Sequence, residues 1–446
     1  MRMSRLLLKT LREVKERDEG PGSTLARRAG VLHEVVSGHP TLLPLGVRAR
    51  HRLLEFIRRG IEELGGQEID VPAVVSREIL ERSGRWGRET GWEKKAVGRN
   101  EERGGESFLD TGGVETVLET ARRLVQSYKD LPRLLYAVRT MVPWEGAPNA
   151  FGARETTCVQ TFCVTDGEEE GRELNRAFRV LSAQLATWCG LGGSWMEAVW
   201  GVEGQGQGPQ VALCVPHSKG STSLLSCQGC RRHFLETWAP VNKPPYDGPA
   251  REGSSDRVKV ATPAVKTITD LSRFLSVSPQ DCLKAFLMEG PKGFVLGAVR
   301  GDLEVSVSKL SAASGVEPRS LEMATPEAAK AAGLVPGFAS PIGVGPDVHV
   351  VVDDSVDLTR ACVAGANEVD HHYTGVLPKR DFPEHLVVAD IAGPGEEPRC
   401  PGCGEVYTRK QAWEVGRWSP PSQGGAAKMK ASFTQNNGKP APLTVS

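Results

Sequence analysis

No stretch of the 446 residues approaches the roughly 18 consecutive apolar residues of a membrane-spanning helix. The N-terminus, Met1-Arg-Met-Ser-Arg-Leu-Leu-Leu8, holds only three apolar residues in a row before Lys9, too few for the apolar region of a secretory signal. Net charge is also absent, because 55 Lys plus Arg balance 55 Asp plus Glu. A global basic field that draws nucleic acid is thereby excluded, and any such surface has to be local. Without an export signal, the ten cysteines point to metal binding or free thiols and away from a disulfide framework. These absences predict a soluble cytoplasmic protein without a membrane partner.

What the chain does have is length and glycine. Its length allows roughly two to three domains with cores of their own. The 50 glycines are about 11% of the chain, above the usual ~7%, and imply many turns. Leu6 to Arg17 is a basic, partly amphipathic helix candidate. Val47, Leu54, Ile57, Ile61 and Leu64 recur at helical spacing with Arg and Glu between them, which predicts a helix with one apolar face. Gly65-Gly66 ends it, and Gln67 to Pro72 reads as a strand stopped by proline. Leu174 to Cys189 repeats the helical spacing. Gly201 to Gly208 lacks the Lys-Ser/Thr ending of a phosphate loop and reads as a plain loop. Asn242 to Asp256 has the Pro/Gly/Ser-rich, charged composition of a linker.

Two Cys-x-x-Cys pairs, Cys227/Cys230 and Cys400/Cys403, flank a long central block. Each pair can turn two thiolates toward one ion, and four thiolates suit tetrahedral zinc. Their separation far exceeds that of a zinc ribbon, so they meet only if the block folds as a unit with its ends close together. Structural zinc and free thiols both stay open. A closed four-cysteine site would leave no open position for catalysis. Within the block, Leu271 to Leu275 and Asp281 to Phe286 are helix candidates, with Ser278-Pro-Gln as a start signal. Phe294 to Val299 and Val348 to Val352 are buried-strand runs. Ala324 to Ala332 reads as a short helix with Thr325 as its N-cap and Pro326 at its first position. His371 and His372, as strand neighbours, face opposite ways and do not share an ion. Asp302 and Glu304, two apart, would share one strand face.

The identities carry a resemblance. Leu43-Pro-Leu-Gly-Val-Arg48, Gly65-Gly-Gln-Glu68, Pro72, Ser83-Gly-Arg-Trp86 and Ser127-Tyr-Lys-Asp-Leu-Pro132 follow one another as in bacterial prolyl-tRNA synthetases. The block with Ala261-Thr-Pro-Ala-Val-Lys-Thr267, Arg300-Gly-Asp-Leu-Glu304, Gly337-Phe-Ala-Ser-Pro341 and Gly365-Ala-Asn-Glu-Val-Asp-His-His-Tyr373 resembles that family's YbaK/ProX-type editing domain. The resemblance implies an α/β (α+β) fold: a class II aminoacyl-tRNA synthetase-like antiparallel sheet domain with an inserted YbaK-like mixed α/β editing domain. The expected parts are 1–242, a linker 243–258, the editing insertion 259–390, and a return to the first domain over 391–446.

The synthetase signatures are eroded. The Phe-Arg-x-Glu signature is matched by Val142-Pro-Trp-Glu145, so Pro143 stands where a phosphate-binding arginine belongs. Gly112-Gly113-Val114 replaces the Thr-x-Glu substrate loop, and Arg417 stands where a histidine is expected after Glu414-Val-Gly416. Arg154 falls near a later arginine of the family among poorly matching neighbours. The third class II motif and an anticodon-binding domain are expected to be missing. The resemblance therefore implies no ATP use.

The editing signatures are complete. Carried over, Lys309 matches the lysine of the strand after the Gly-Asp-x-Glu run, Gly337 and Pro341 the Gly-x-x-x-Pro loop, and His372 the pocket histidine. These are the implied catalytic residues, with Asn367 and Asp302 as candidate substrate-binding residues. Such domains hydrolyse the ester of mischarged tRNA. The loop would present backbone N–H groups to the carbonyl, Lys309 would hold a phosphate or the terminal ribose, and a pocket sized for alanine would exclude proline. His372 either shapes the pocket and orients a hydroxyl or acts as general base. The expected partners are the acceptor end of a mischarged tRNA and a second copy of the chain, and the expected cofactor is one structural zinc. Two alternatives stand beside an editing hydrolase with a silent synthetase site: a non-catalytic tRNA- or protein-binding regulator, and a working proline–tRNA ligase.

Overall fold

The computed structural model describes residues 5–13, 21–36, 39–86, 96–100, 105–110, 112–141, 155–191, 195–201, 210–247, 256–265, 267–291, 293–316, 320–418 and 424–445. The N-terminal part is built on a four-stranded sheet in the order Thr444–Val445, Thr156–Thr165, Arg133–Met141, Gln67–Glu68. Helices Pro44–Glu63 and Glu168–Trp188 pack on it. Ile57, Ile61 and Leu64 meet Leu174, Phe178 and Leu181 over Leu134, Tyr136 and Cys163, the apolar face that the helical spacing predicts. Gly60 lets the two helices touch, since a Cβ there would collide with Leu181. Leu6 to Arg17 gives no helix over residues 5–13, and the rest lies outside the described residues. The predicted strand from Gln67 is only Gln67–Glu68, paired in parallel with Leu135 and Tyr136. Among the described residues no helix is long and apolar enough to cross a membrane.

Next comes a closed five-stranded barrel, ordered Gln210–Pro216, Thr408–Trp418, Thr222–Cys227, Arg232–Leu235, Met196–Trp200. Four of its strands precede the central block. The fifth, Thr408–Trp418, follows it and pairs with Gln210–Pro216 and Thr222–Cys227. The block's two ends are thereby held together.

The central block has a five-stranded sheet in the order Glu322–Met323, Leu283–Gly290, Gly293–Arg300, Val348–Asp353, Val387–Ala389. Gly293–Arg300 runs antiparallel to Leu283–Gly290 and parallel to Val348–Asp353. It is buried on both faces: Leu296 and Ala298 enter one core, Val295 and Val299 the other. That double burial is why it reads as an unbroken apolar run. A smaller sheet orders Val258–Ala261, His371–Val376, Cys362–Gly365. Thr325 caps helix Pro326–Ala331 as its sequence predicts.

Three expectations fail here for local reasons. Asp281 to Phe286 is no helix: Ser278 caps a single turn, Pro279–Asp281, and the chain then pairs as strand Leu283–Gly290 along the whole of Gly293–Arg300. Lys309 is not on a strand. Ser306 accepts the Lys309 N–H and starts helix Val307–Ser314. Asp302 lies in the turn after Gly293–Arg300, so it shares no strand face with Glu304.

The linker is also a fastened strap over its first residues. Lys243 Nζ donates to Asp353 at 3.1 Å, to Asp390 at 2.7 Å and to Asp354. Arg300 donates to the carbonyl of Pro244 at 2.8 Å, and the Arg300 and Arg360 guanidiniums both lie over the Tyr246 ring, at 4.9 and 4.3 Å from its centre. Residues 248–255 lie outside the described residues, and Val258 already pairs with Thr374.

Lys309 joins the same carboxylates from the helix side. Its Nζ lies 2.9 Å from Asp390 and 2.7 Å from the Ala392 carbonyl, and its side chain is 2% exposed. Removing one member of a buried ion network leaves the others uncompensated. Lys309→Met is therefore expected to lower the unfolding free energy by about 3 kcal/mol, measured by urea denaturation. A loss under about 1 kcal/mol would refute this role.

Candidate editing site and cysteine cluster

A cleft of about 680 Å³ opens on the central block between helix Ile268–Leu275, strand Leu283–Gly290, the Gly301-Asp302 turn and the loop at Gly337. Its polar side chains include Lys284, Asp302, Glu304 and His372. Gly337 takes φ +83°, a conformation that favours glycine, and lines the cleft together with Ala339. Gly365 makes the loop's close approach possible, because a Cβ there would strike the Phe338 carbonyl.

The predicted residues separate into three groups. Gly337, Asp302 and His372 line the cleft. Asn367 holds the loop from outside the cleft lining, and Pro341 ends the loop. The Asn367 side chain accepts the Ser340 N–H at 2.9 Å and donates to the carbonyls of Ser340 and Ile342 at 3.3 and 2.9 Å. Its amide is consumed by the loop, so it positions the loop and does not offer a substrate contact. Pro341 is buried and absent from the cleft lining. Lys309 is the third case: it is absent from the cleft lining, and its ammonium is committed to Asp390 and Ala392. Burial lowers its pKa against the pull of Asp390.

Among the described residues, the lysine that lines the cleft is Lys284. Its Nζ donates to the Leu303 carbonyl at 2.9 Å and to Glu304 at 2.6 Å. Reading Asp281 to Phe286 as a helix hid it. The signal that reveals it is the strand alternation of Leu283, Ala285 and Leu287 into one core, with Lys284 between them. Asp302 is held by Arg300 through two bonds of 2.9 and 2.6 Å, which fixes the carboxylate's direction. His372 pairs across its sheet with Gly365 and Val260, and Phe338 meets its ring edge-on at 5.5 Å. Burial first, then the neighbouring His371, push its pKa below the ordinary histidine value. His371 faces the other way, beside Glu368.

The four cysteines converge, the outcome expected if the block's two ends lie close together. All four sulfurs lie within 4.8 Å of one another, with Cys227–Cys403 at 3.3 Å and Cys230–Cys400 at 3.7 Å. Four thiolates ~2.3 Å from a tetrahedral ion have S···S edges of ~3.8 Å, so the cluster can hold one metal ion. Burial works to raise the Cys400 thiol, but backbone N–H groups, Gly402 foremost, and Tyr407 bring it down to about 7. A second acidic group, Asp353, Asp354 and Asp390, is no metal site, because Lys243 and Lys309 already fill it.

In the N-terminal part, Arg139 fills the space beside the Gly112-Gly113 turn. It is buried and donates to Gln160 at 3.3 Å and to the Pro72 carbonyl at 3.1 Å. It also faces the fully buried Asp110 carboxylate at 3.6 Å. A side chain at Gly113 would collide with it. Pro143, Glu145 and Arg154 lie outside the described residues. Arg417 stacks on Trp200 at 4.4 Å and pairs with Glu414 on the barrel.

A family model described as an aminoacyl-tRNA editing domain matches residues 262–382, a span that holds the whole cleft wall. Along its full length the chain is 30% identical to a proline–tRNA ligase of Desulfitobacterium hafniense, of which it covers 76%. It is 32% identical to one of Thermotoga maritima, again over all of this chain and 76% of the relative. The chain belongs to the proline–tRNA ligase family. Of the editing signatures, Asp302, Gly337 and His372 line the cleft, and the chain's two thiol pairs form a cluster.

The metal question has a direct measurement. Purified protein is expected to carry about one divalent ion per chain by elemental analysis, and Cys230→Ser to lose it. Metal-free protein that keeps its fold and stability would show the cluster to be four plain thiols.

Proposed function

We propose that this member of the proline–tRNA ligase family is an aminoacyl-tRNA editing hydrolase whose synthetase site is silent. The observation that carries the reading is the cleft itself, with Lys284, Asp302, His372 and the exposed backbone at Gly337 on one wall system. The substrate is an aminoacyl ester on the terminal ribose of tRNA. Water adds to the carbonyl carbon, the bond to the ribose oxygen breaks, and that oxygen leaves with a proton. An ester needs little beyond positioning and charge stabilisation. Lys284 supplies the positive charge for the ester oxygen or the terminal phosphate. Asp302, held still by Arg300, accepts from the α-ammonium of the aminoacyl group. Ile268, Leu271 and Phe286 give the cleft an apolar side that suits alanine, so the favoured substrate is alanine mischarged on the proline tRNA.

The silent synthetase site is supported by sequence and packing together. Pro143 offers no charge to ATP, Gly112-Gly113-Val114 offers no side-chain hydrogen bond, and Arg139 occupies the space beside that turn. The relatives' name favours the second reading, a working proline–tRNA ligase. In the first reading the family's helix and sheet around Pro44–Glu63 serve a homodimer, zinc occupies the cysteine cluster, and the linker and boundaries near 243–258 and 390 delimit the editing insertion.

Deacylation of alanyl-tRNA(Pro) is expected with the wild-type protein and is expected to fall on the order of 100-fold in Lys284→Ala. No proline-dependent ATP–pyrophosphate exchange is expected. Absence of deacylation would sink the hydrolase reading, and exchange would restore the ligase. Because the His372 pKa lies below its ordinary 6.5, the imidazole is neutral at pH 7 and protonates only as pH falls through the lowered value. No rate limb assignable to His372 is therefore expected above pH 6.5, and one there would contradict the buried position of the ring.

A further inference from the structure

The hydroxyl of Thr262 lies 2.6 Å from Nδ1 of His372. Thr262 is fully buried and His372 is 7% exposed. The Thr262 N–H donates to the Asp370 carbonyl at 2.7 Å, which ties it to the segment entering the histidine's strand. Among the described residues, His372 Nδ1 is the one hydrogen-bond partner of that hydroxyl.

Two proton arrangements satisfy the distance. If Nδ1–H donates to Oγ1, the threonine O–H is left in the interior without an acceptor. A buried donor in that state carries its full desolvation penalty. If the O–H donates to a bare Nδ1, both groups are satisfied. The second arrangement wins. A neutral imidazole holds one N–H, so its proton sits on Nε2. The edge-on Phe338 ring at 5.5 Å limits rotation of the imidazole, and His372 borders the cleft.

We propose that Thr262 fixes His372 as the Nε2–H tautomer, so that the histidine gives the cleft a hydrogen-bond donor and not a base. Thr262 is then a positioning residue, acting through His372. The target of the donor rests on the hydrolase reading: it is the ester oxygen that gathers charge as water adds. The proton of that water is not taken by His372. The same logic explains the buried, neutral state of the ring, since a donor aimed at a developing negative oxygen works best when it need not reorganise.

The test reads the tautomer without activity. Two-bond proton–nitrogen correlation spectra of the full chain, labelled with nitrogen-15 histidine, locate His372 through the signal lost in His372→Gln. At neutral pH the wild type is expected to show the Nε2–H pattern. Thr262→Val is expected to lose that fixed pattern and to lower kcat for alanyl-tRNA by about 10-fold or more, with KM nearly unchanged. Thr262→Ser, which keeps the hydroxyl, is expected to restore both. An Nδ1–H pattern in the wild type would overturn the proposal, as would a Thr262→Val protein with wild-type spectrum and kcat. An Nε2–H pattern in a protein that cannot cleave the ester would support the tautomer and overturn the hydrolase reading alone.

Discussion

The Asp353 carboxylate is the point on which the neck of the molecule depends. It is fully buried at the end of a central strand. It accepts the N–H groups of Ile391 and Ala392 at 2.9 and 2.8 Å and that of Ser355 at 3.0 Å. The Ser355 hydroxyl and the Lys243 ammonium add two more bonds. Burial alone would raise its pKa, yet Lys243 and these donors hold it below the usual aspartate value. An incoming strap, a core strand and the outgoing leg therefore share one charge. Lys309 completes the balance from its helix through Asp390. A buried anion survives only when it is paired and hydrogen-bonded throughout, so these segments hold a common position or the charge has none.

That constraint explains why the two lysines of the block part ways. Lys309 and Lys284 are both close to acidic groups, but only one has room to meet a ligand. Lys309 neutralises a structural carboxylate with a side chain that is 2% exposed. Lys284 pairs with Glu304, whose side chain is 53% exposed, a contact that solvent and substrate can compete for. Burial, not charge, sorts the structural cation from the one that borders the cleft.

Much of this was legible in the sequence. Amphipathic spacing located the helix Pro44–Glu63, an unbroken apolar run located the strand Gly293–Arg300, and the flanking thiol pairs were expected to meet if the block's ends lie close together. What escaped were decisions made by neighbours at a distance. Asp281 to Phe286 has a pattern compatible with a helix, and only the hairpin with Gly293–Arg300 makes it a strand. Asn367 looks like a ligand group until the loop at Ser340 claims its amide. Lys309 follows the right signature, yet Ser306 turns it into a helix and away from the cleft. The polar composition of Asn242 to Asp247 suggests slack, whereas its few side chains find buried partners. In each case the residue type was informative, and the partner that decided its place, near for Lys309 and farther along the chain for Asn367, was not.

The barrel carries a consequence for how the chain is made. Its strand Thr408–Trp418 is sandwiched between two strands that are synthesised before the whole central block. During elongation on the ribosome those four earlier strands wait with open edges while the block emerges. The block's own pairings are closer in sequence, which favours their earlier formation. The barrel then closes late, as a seam between the segments that precede and follow the block. Completed cleft architecture can thus precede the closure of the scaffold that carries it.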